Sequence, residues 1–258
     1  MKILTLNIWG GRVGRDKVLD FFRAHQDVDI FCLQEVWSAP YEHIDGQDAG
    51  GAPIDNKKSM TRGLSDISEI LTGHTAHFQP LFEDNYGLLM MVSKECEIVE
   101  EGSECVYMHE GYVSPDELGD HARLLQYVTL KREQELLTVL NFHGLWHPRP
   151  EAWGKRDIPE RIEQSKKIVS FLEQFNHPVV LSGDFNLRPD TESMKIIEDV
   201  GLRNLITEYG ITSTRTSFYE KPEKYADYTL VSEGVTVKDF KVLPDEVSDH
   251  AALYLEIE

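Results

Sequence analysis

The sequence predicts a layered α/β domain in which helices cover packed sheets of mixed parallel and antiparallel strands. Three observations lead there. Residues 2–33 read strand, helix, strand, a β-α-β opening. Two apolar runs at about 123–131 and 136–143 are separated by only Arg132-Glu133-Gln134-Glu135, short enough for an antiparallel hairpin. Strand-like and helix-like segments then keep alternating through the 258 residues without an internal repeat or a second core, so one domain spanning 1–258 is expected.

The apolar run at residues 2–9 ends in Gly10-Gly11, as a buried strand does when it enters a tight turn. Val18, Leu19, Phe21 and Phe22 give residues 15–26 one apolar helical face, and Asp29-Ile30-Phe31-Cys32-Leu33 resumes strand-like burial before Gln34-Glu35. A polar insertion rich in Gly, Asp and Pro occupies about 38–63; it is too long for an ordinary connection and is expected to be a mobile loop or a lid that helps select substrate. Leu64, Ile67, Ile70 and Leu71 recur at helical spacing, with Thr61 as the expected cap. Strands are expected at about 75–82, 87–93 and 96–108, and a polar loop at 109–121. Asp157-Ile158-Pro159-Glu160 reads as a capping box opening a helix to about 174. Pro178-Val179-Val180-Leu181-Ser182 is then a buried strand ending at Gly183-Asp184, followed by a short helix from about 191 to Gly201. Strands at about 227–232, 235–243 and 251–257 complete the chain.

A 41% hydrophobic share beside 28% charged residues excludes collagen-like, coiled-coil and disordered classes. Lys and Arg number 26 against 45 Asp and Glu, a formal charge of −19. That field repels polyanions, so any phosphate group would have to be bound locally rather than by the average charge. Cys32, Cys96 and Cys105 are odd in number, lack a CxxC spacing and are expected to be buried free thiols. The N-terminus has no sustained apolar signal-like region and no stretch approaches a membrane span, so a cytoplasmic protein without a protein partner is expected.

Short polar groups stand at the ends or starts of the apolar strands: Asn7, Glu35, His143, Asp184 with Asn186, Asp227, and Asp249 with His250. Gathered at one edge of packed sheets, they would set carboxylates and an amide against two imidazoles in one cleft. Such oxygen donors suit Mg²⁺ or Mn²⁺, whereas structural zinc would want Cys or closely spaced His. Histidine can donate to a phosphoryl oxygen or protonate a leaving oxygen, and an Asp can orient or deprotonate water. Asp184 and Asn186, two apart on an extended segment, are expected to point to the same side. Taken singly, each has a plainer reading: Asn7 as a turn cap before Gly10-Gly11, Glu35 as a solvated carboxylate, His143 as a satisfied core histidine. His25, His43, His74, His77, His109, His121 and His177 are read as structural, and Glu100-Glu101 as a solvated face.

In chain order, Asn7, Gln34-Glu35, Asn141-Phe142-His143, Gly183-Asp184-Phe185-Asn186, Asp227-Tyr228 and Ser248-Asp249-His250 resemble the endonuclease/exonuclease/phosphatase superfamily, across residues 3–257. Arg161, Gln164 and Pro189 agree with the pattern. The resemblance implies a DNase I-like four-layer α/β/β/α sandwich with the active site at one edge of two packed sheets. It implies that Glu35 is the main Mg²⁺ ligand, with Asn7 and Asp249 beside it directly or through water. Asp184 would orient or activate the attacking water, and Asn186 would help hold the scissile phosphate. His250, partnered by Asp227, and His143 would stabilise developing charge or assist the leaving group. Arg123 stands where many relatives carry a phosphate-contacting arginine, and Tyr86, Trp146, His147 and Arg188 would line the cleft.

The implied activity is Mg²⁺-dependent hydrolysis of a phosphodiester, nuclease-like and by in-line water attack, with a phosphate ester or nucleic acid as substrate. A phosphomonoesterase acting on a small phosphorylated metabolite or lipid is the alternative within the fold, and a non-catalytic binding module the alternative outside catalysis. The Trp-x-Gly-Asp-x-Asn pattern of inositol-phosphate 5-phosphatases is missing. Tyr225-Ala226-Asp227-Tyr228 lacks the arginine of abasic-site endonucleases. Dinuclear metallophosphoesterases need Asp-x-His and Gly-Asn-His, which this sequence does not contain.

Overall fold

A computed structural model describes residues 1–49, 52–82, 84–115, 118–132, 135–147 and 154–258. Numbered in chain order, one six-stranded mixed sheet runs β13 (Val237–Val242), β14 (Leu253–Ile257), β1 (Lys2–Asn7), β2 (Ile30–Trp37), β6 (Tyr86–Ser93), β5 (His74–Phe82). The second runs β11 (Arg203–Asn204), β12 (Asp227–Val231), β10 (Val179–Asp184), β9 (Glu135–His143), β8 (Arg123–Arg132), β7 (Glu97–Tyr107). A small hairpin, β3 (Asp48–Ala49) with β4 (Ala52–Pro53), stands apart. The helices are α1 (Arg15–Ala24), α2 (Gly63–Ile70), α3 (Pro159–Leu172), α4 (Glu192–Glu198) and α5 (Leu205–Glu208). β1 and β2 are parallel, as a β-α-β crossover requires, and β8 and β9 are antiparallel, as a hairpin requires. The turn residues Glu133 and Gln134 lie outside the described residues.

Strand alternation sorts the core. Leu4, Leu6, Phe31 and Leu33 pack with Val18, Phe22 and Ile67 of α1 and α2 on the outer face of the first sheet. Ile3, Ile30 and Cys32 join Val128, Leu130 and Val139 of the second sheet. A buried polar seam crosses between the sheets. Gln34 Nε2 donates to Thr5 Oγ1 at 3.1 Å and Asn141 Oδ1 at 2.7 Å, while Asn141 Nδ2 donates to Leu33 O at 3.0 Å and Gln126 Oε1 at 3.2 Å. Gln34 and Asn141, read in the sequence as parts of site motifs, therefore pin the register between sheets.

Several local expectations change. The 38–63 segment is anchored at a few apolar points: Tyr41, Ile44 and Ile54 are buried against Trp37 and Tyr86, and Met60 N–H donates to Gly10 O at 2.7 Å. Thr61 does not cap α2, whose N-cap is Arg62 without a side-chain bond. Asp157 does not cap α3, which starts at Ile158-Pro159 without a side-chain bond. Its carboxylate instead takes the N–H groups of Glu192 at 2.7 Å and Ser193 at 3.0 Å, stabilising the N-terminus of α4 from a distant segment. Cys32 is buried, but Cys96 and Cys105 are only partly so. β7 is an edge strand whose Glu97, Glu100, Glu101 and Glu104 face solvent, so the acidic stretch also protects an unpaired edge.

β9 and β10 approach closely at Gly183, which has a φ of +147° and whose added Cβ would lie 2.0 Å from Phe142 O. Gly183→Ala should therefore cost about 3 kcal/mol of stability, read as a lowered melting temperature. An unchanged melting temperature would mean that this strand pair opens freely.

Candidate active site

Three neighbouring strands of the second sheet set three predicted residues side by side. His143 at the end of β9 is the register partner of Asp184 at the end of β10, and Asp184 is the partner of Asp227 at the start of β12. All three share the strand face of Asn141, Ser182 and Thr229, which is turned toward the first sheet. Asn7, ending β1, meets them from the opposite sheet: its Nδ2 donates to Asp184 Oδ2 at 3.1 Å and to Glu35 Oε1 at 3.0 Å. Its Oδ1 accepts Trp9 N–H at 2.9 Å, so Asn7 is a turn cap and a site residue together. With that oxygen occupied, Asn7 faces Glu35 as a donor.

Regular alternation would put Glu35 on the helix side with Phe31 and Leu33. A register shift between Leu33 and Val36 and a φ of +57° at Glu35 turn its carboxylate into the cleft instead. Asn186 also departs from extended backbone, with a φ of +54°. It reaches the side of Asp184 through a turn closed by its N–H to Asp184 Oδ1 at 2.9 Å, correcting the extended geometry expected from the sequence. Strained backbone gathers here: Trp9, Glu35, Lys155 and Asn186 all have positive φ and all line one cleft.

His143 Nε2 and His250 Nε2 each lie 3.7 Å from Asp184 Oδ2. His250 Nδ1 is bonded to Asp227 at 2.8 Å, and Asp249 Oδ1 lies 3.8 Å from His250 Nε2. The cleft has a volume of about 770 Å³, and its lining includes the aromatic residues Trp9, Trp37, Tyr86, Phe218 and Tyr219. Arg123, the first residue of β8, reaches it with a 2% exposed side chain. One Nη donates to Gly119 O at 2.8 Å, while Nε and the other Nη have no partner among the described residues. Tyr86, Trp146 and His147 line the cleft as expected, but Arg188 does not: it forks onto Asp190 at the surface.

The sequence model of the Endonuclease/Exonuclease/phosphatase family matches residues 4–250. The chain belongs to that family. Among solved structures, the mannosyl-6-phosphatase of Bacteroides thetaiotaomicron VPI-5482 is similar at 18% identity, covering 100% of this chain and 99% of that one, with a TM-score of 0.70. A humanized TDP2 of D. rerio is similar at 14% identity over 100% of this chain and 98% of that one, with a TM-score of 0.72. A family protein from Leptotrichia buccalis C-1013-b is similar at 19% identity over 100% and 99% of the two chains, with a TM-score of 0.69. No curated protein matches the sequence. The similarities establish the DNase I-like fold of two packed mixed sheets.

Charge in this family member's cleft is finely opposed. Burial would raise the Asp184 carboxyl, but His250, Lys155, His143 and Arg215 together hold it below the usual carboxylate range. Burial and Arg215 oppose protonation of His250, yet Asp227, Asp249 and Asp184 bring it above the ordinary histidine value. Burial and then Arg123 push His143 down to about 3. Burial raises Glu35 against the bond from Asn7.

Sequence reasoning missed three contributors. His121, read as structural, is buried in the cleft wall, bonded through Nδ1 to Ala122 O at 2.9 Å. Arg215 lies 3.5 Å from Asp249 Oδ2 and stacks on Tyr219, with its guanidinium carbon 3.9 Å from the ring centre. Lys155 donates from Nζ to Asn186 Oδ1 at 2.5 Å. Arg215 and Lys155 sit in polar connections where a basic residue ordinarily reads as solvated surface; Gly154 before Lys155 was the one local hint. Arg161 and Gln164 act from beneath: Arg161 Nε donates to Leu145 O at 3.0 Å, and Gln164 Oε1 accepts Leu145 N–H at 3.1 Å, fixing the segment after His143.

Proposed function

We propose that this protein is a metal-dependent phosphoesterase that hydrolyses a phosphate ester by in-line attack of water. The observation that carries the reading is the setting of Asp184: bonded to Asn7 and Asn186, within 3.7 Å of two imidazoles, on the floor of a walled cleft. Asp184 would orient the water and take its proton. Asn186 would hold a non-bridging oxygen, and Asp227 would hold His250 with Nε2 facing the phosphate.

The donor set fits Mg²⁺ or Mn²⁺. Among the described residues, Asp184, Asp227 and His250 bring possible ligand atoms within 4.8 Å of one another, but Asp227 and His250 already satisfy each other. Glu35, with its carboxyl raised by burial, is the carboxylate that a cation would relieve, and Asp249 is its companion. Asn7 would hold Glu35 in place or act through water. Bound there, the cation would polarise a phosphoryl oxygen and neutralise developing charge.

A phosphodiester remains the first substrate reading. A phosphomonoester is favoured as the second by Arg123, whose two unpartnered nitrogens offer buried charge to a dianionic group. The cleft volume suits a small molecule for either ester, and the charge of −19 disfavours passive duplex binding. The test is Mg²⁺-dependent turnover of bis-p-nitrophenyl phosphate and p-nitrophenyl phosphate beside single- and double-stranded DNA and RNA, with EDTA controls. Turnover abolished by EDTA is expected. Glu35→Gln should raise the Mg²⁺ concentration for half-activation roughly tenfold or more; an unaltered activation curve would remove Glu35 from the ligands.

A further inference from the structure

Lys155 lies on the segment leading from His143 to α3, follows Gly154 and has a φ of +58°. A lysine adopts that conformation only where its surroundings hold it. Two contacts do so: its carbonyl accepts Arg188 N–H at 3.2 Å, and its Nζ donates to Asn186 Oδ1 at 2.5 Å. The residue is 8% exposed, yet it lines the cleft beside Asp184 and Asn186. An ammonium has three N–H donors, and among the described residues Asn186 is the hydrogen-bond acceptor this one reaches.

The amide of Asn186 is held unevenly. Its oxygen is bonded at 2.5 Å, while its nitrogen makes only long contacts, 3.3 Å to Gly144 O and 3.4 Å to Asp184 Oδ2. The short bond decides which way the amide faces. It leaves the NH₂ group on the Asp184 side and loosely enough engaged to turn to a ligand.

The charge of the amine is contested. Burial and then Arg215 bring its pKa down to about 7, while Asp184 and Asp227 favour the charged form. An anion entering the cleft would favour it further.

Resting on the phosphoesterase reading, we propose that Lys155 is a phosphate-binding residue working in tandem with Asn186. Its ammonium fixes the Asn186 amide by the oxygen, so that the amide NH₂ and the remaining ammonium N–H groups present themselves to non-bridging oxygens of the same phosphate. No bond is made or broken at Lys155; its part is to bind and orient.

Calorimetric titration with inorganic phosphate, in Mg²⁺ buffer, tests this without requiring turnover. Lys155→Met should weaken phosphate binding roughly tenfold to a hundredfold, Lys155→Arg should recover part of it, and both should melt close to the wild type. Lys155→Gln is the substitute should the Met variant fail to fold. Lys155→Met combined with Asn186→Ala should lose less than the sum of the single losses, because the two donors act as one unit. Phosphate affinity unchanged by loss of the amine, strictly additive losses, or no phosphate binding by the wild type would each overturn the proposal. Lys155-dependent phosphate binding by a protein that hydrolyses no ester would sustain it while removing the hydrolase reading.

Discussion

Asp184→Asn should reduce phosphoester turnover by roughly 10³ to 10⁴-fold. The carboxylate sits where His250, Lys155 and Arg215 keep it ionised despite its burial, the form in which a group can orient water and accept its proton. The amide has nearly the same shape. Its oxygen can still accept Asn186 N–H, now received at 2.9 Å, but its NH₂ would face the Nδ2 of Asn7, which donates to Asp184 Oδ2 at 3.1 Å. One bond is exchanged for a donor–donor conflict, and the attraction of His250, Lys155 and Arg215 for the charge is lost while repulsion from Asp227 falls. The variant should therefore melt below the wild type, and turnover is compared on folded protein. The decisive measurement is turnover of bis-p-nitrophenyl phosphate together with a melting curve. A folded variant with wild-type turnover would remove Asp184 from the chemistry.

His250→Ala should cost roughly 10² to 10⁴-fold in the same assay. The imidazole is bound through Nδ1 by Asp227 at 2.8 Å, which leaves Nε2 directed at Asp184 and the cleft, the atom that would meet a phosphoryl or leaving oxygen. On the proposed reading Asp227 would act through the ring it orients rather than on the substrate. Asp227→Asn combined with His250→Ala should therefore be no slower than His250→Ala alone. A double variant whose loss is the product of the two single losses would show that Asp227 works independently of His250.

Much of the candidate site was legible because its residues stand where apolar strands stop. Asn7, His143, Asp184 and Asp227 end or begin runs with clear strand periodicity, and the register of β9, β10 and β12 follows directly from those runs. Arg123 was legible in the same way, as the first residue of β8. Other residues escaped local reading for identifiable reasons. Alternation places Glu35 on the wrong face; only the bulge between β2 and β6 turns it inward. Asp157 carries a capping-box pattern for α3, yet its carboxylate accepts the first N–H groups of α4 instead. His121, Lys155 and Arg215 lie in polar segments whose composition resembles solvated loops; chain packing buried the first two and covered the side chain of the third, and all three line the cleft.

The sequence by itself determined the order of the longer elements, the parallel opening, the hairpin and the identity of most groups at the strand ends, because periodicity and punctuation are local properties of the chain; the short β3, β4, β11 and α5 carry too little of either to be read. Only the tertiary structure decided which of those groups meet. Contacts such as Asn7 with Asp184, 177 residues apart, depend on how two sheets are laid face to face. It also decided the electrostatics: whether a lysine, an arginine or a carboxylate is solvated or buried beside other charges depends on neighbours far away in the chain, and that setting governs its protonation and what it can bind.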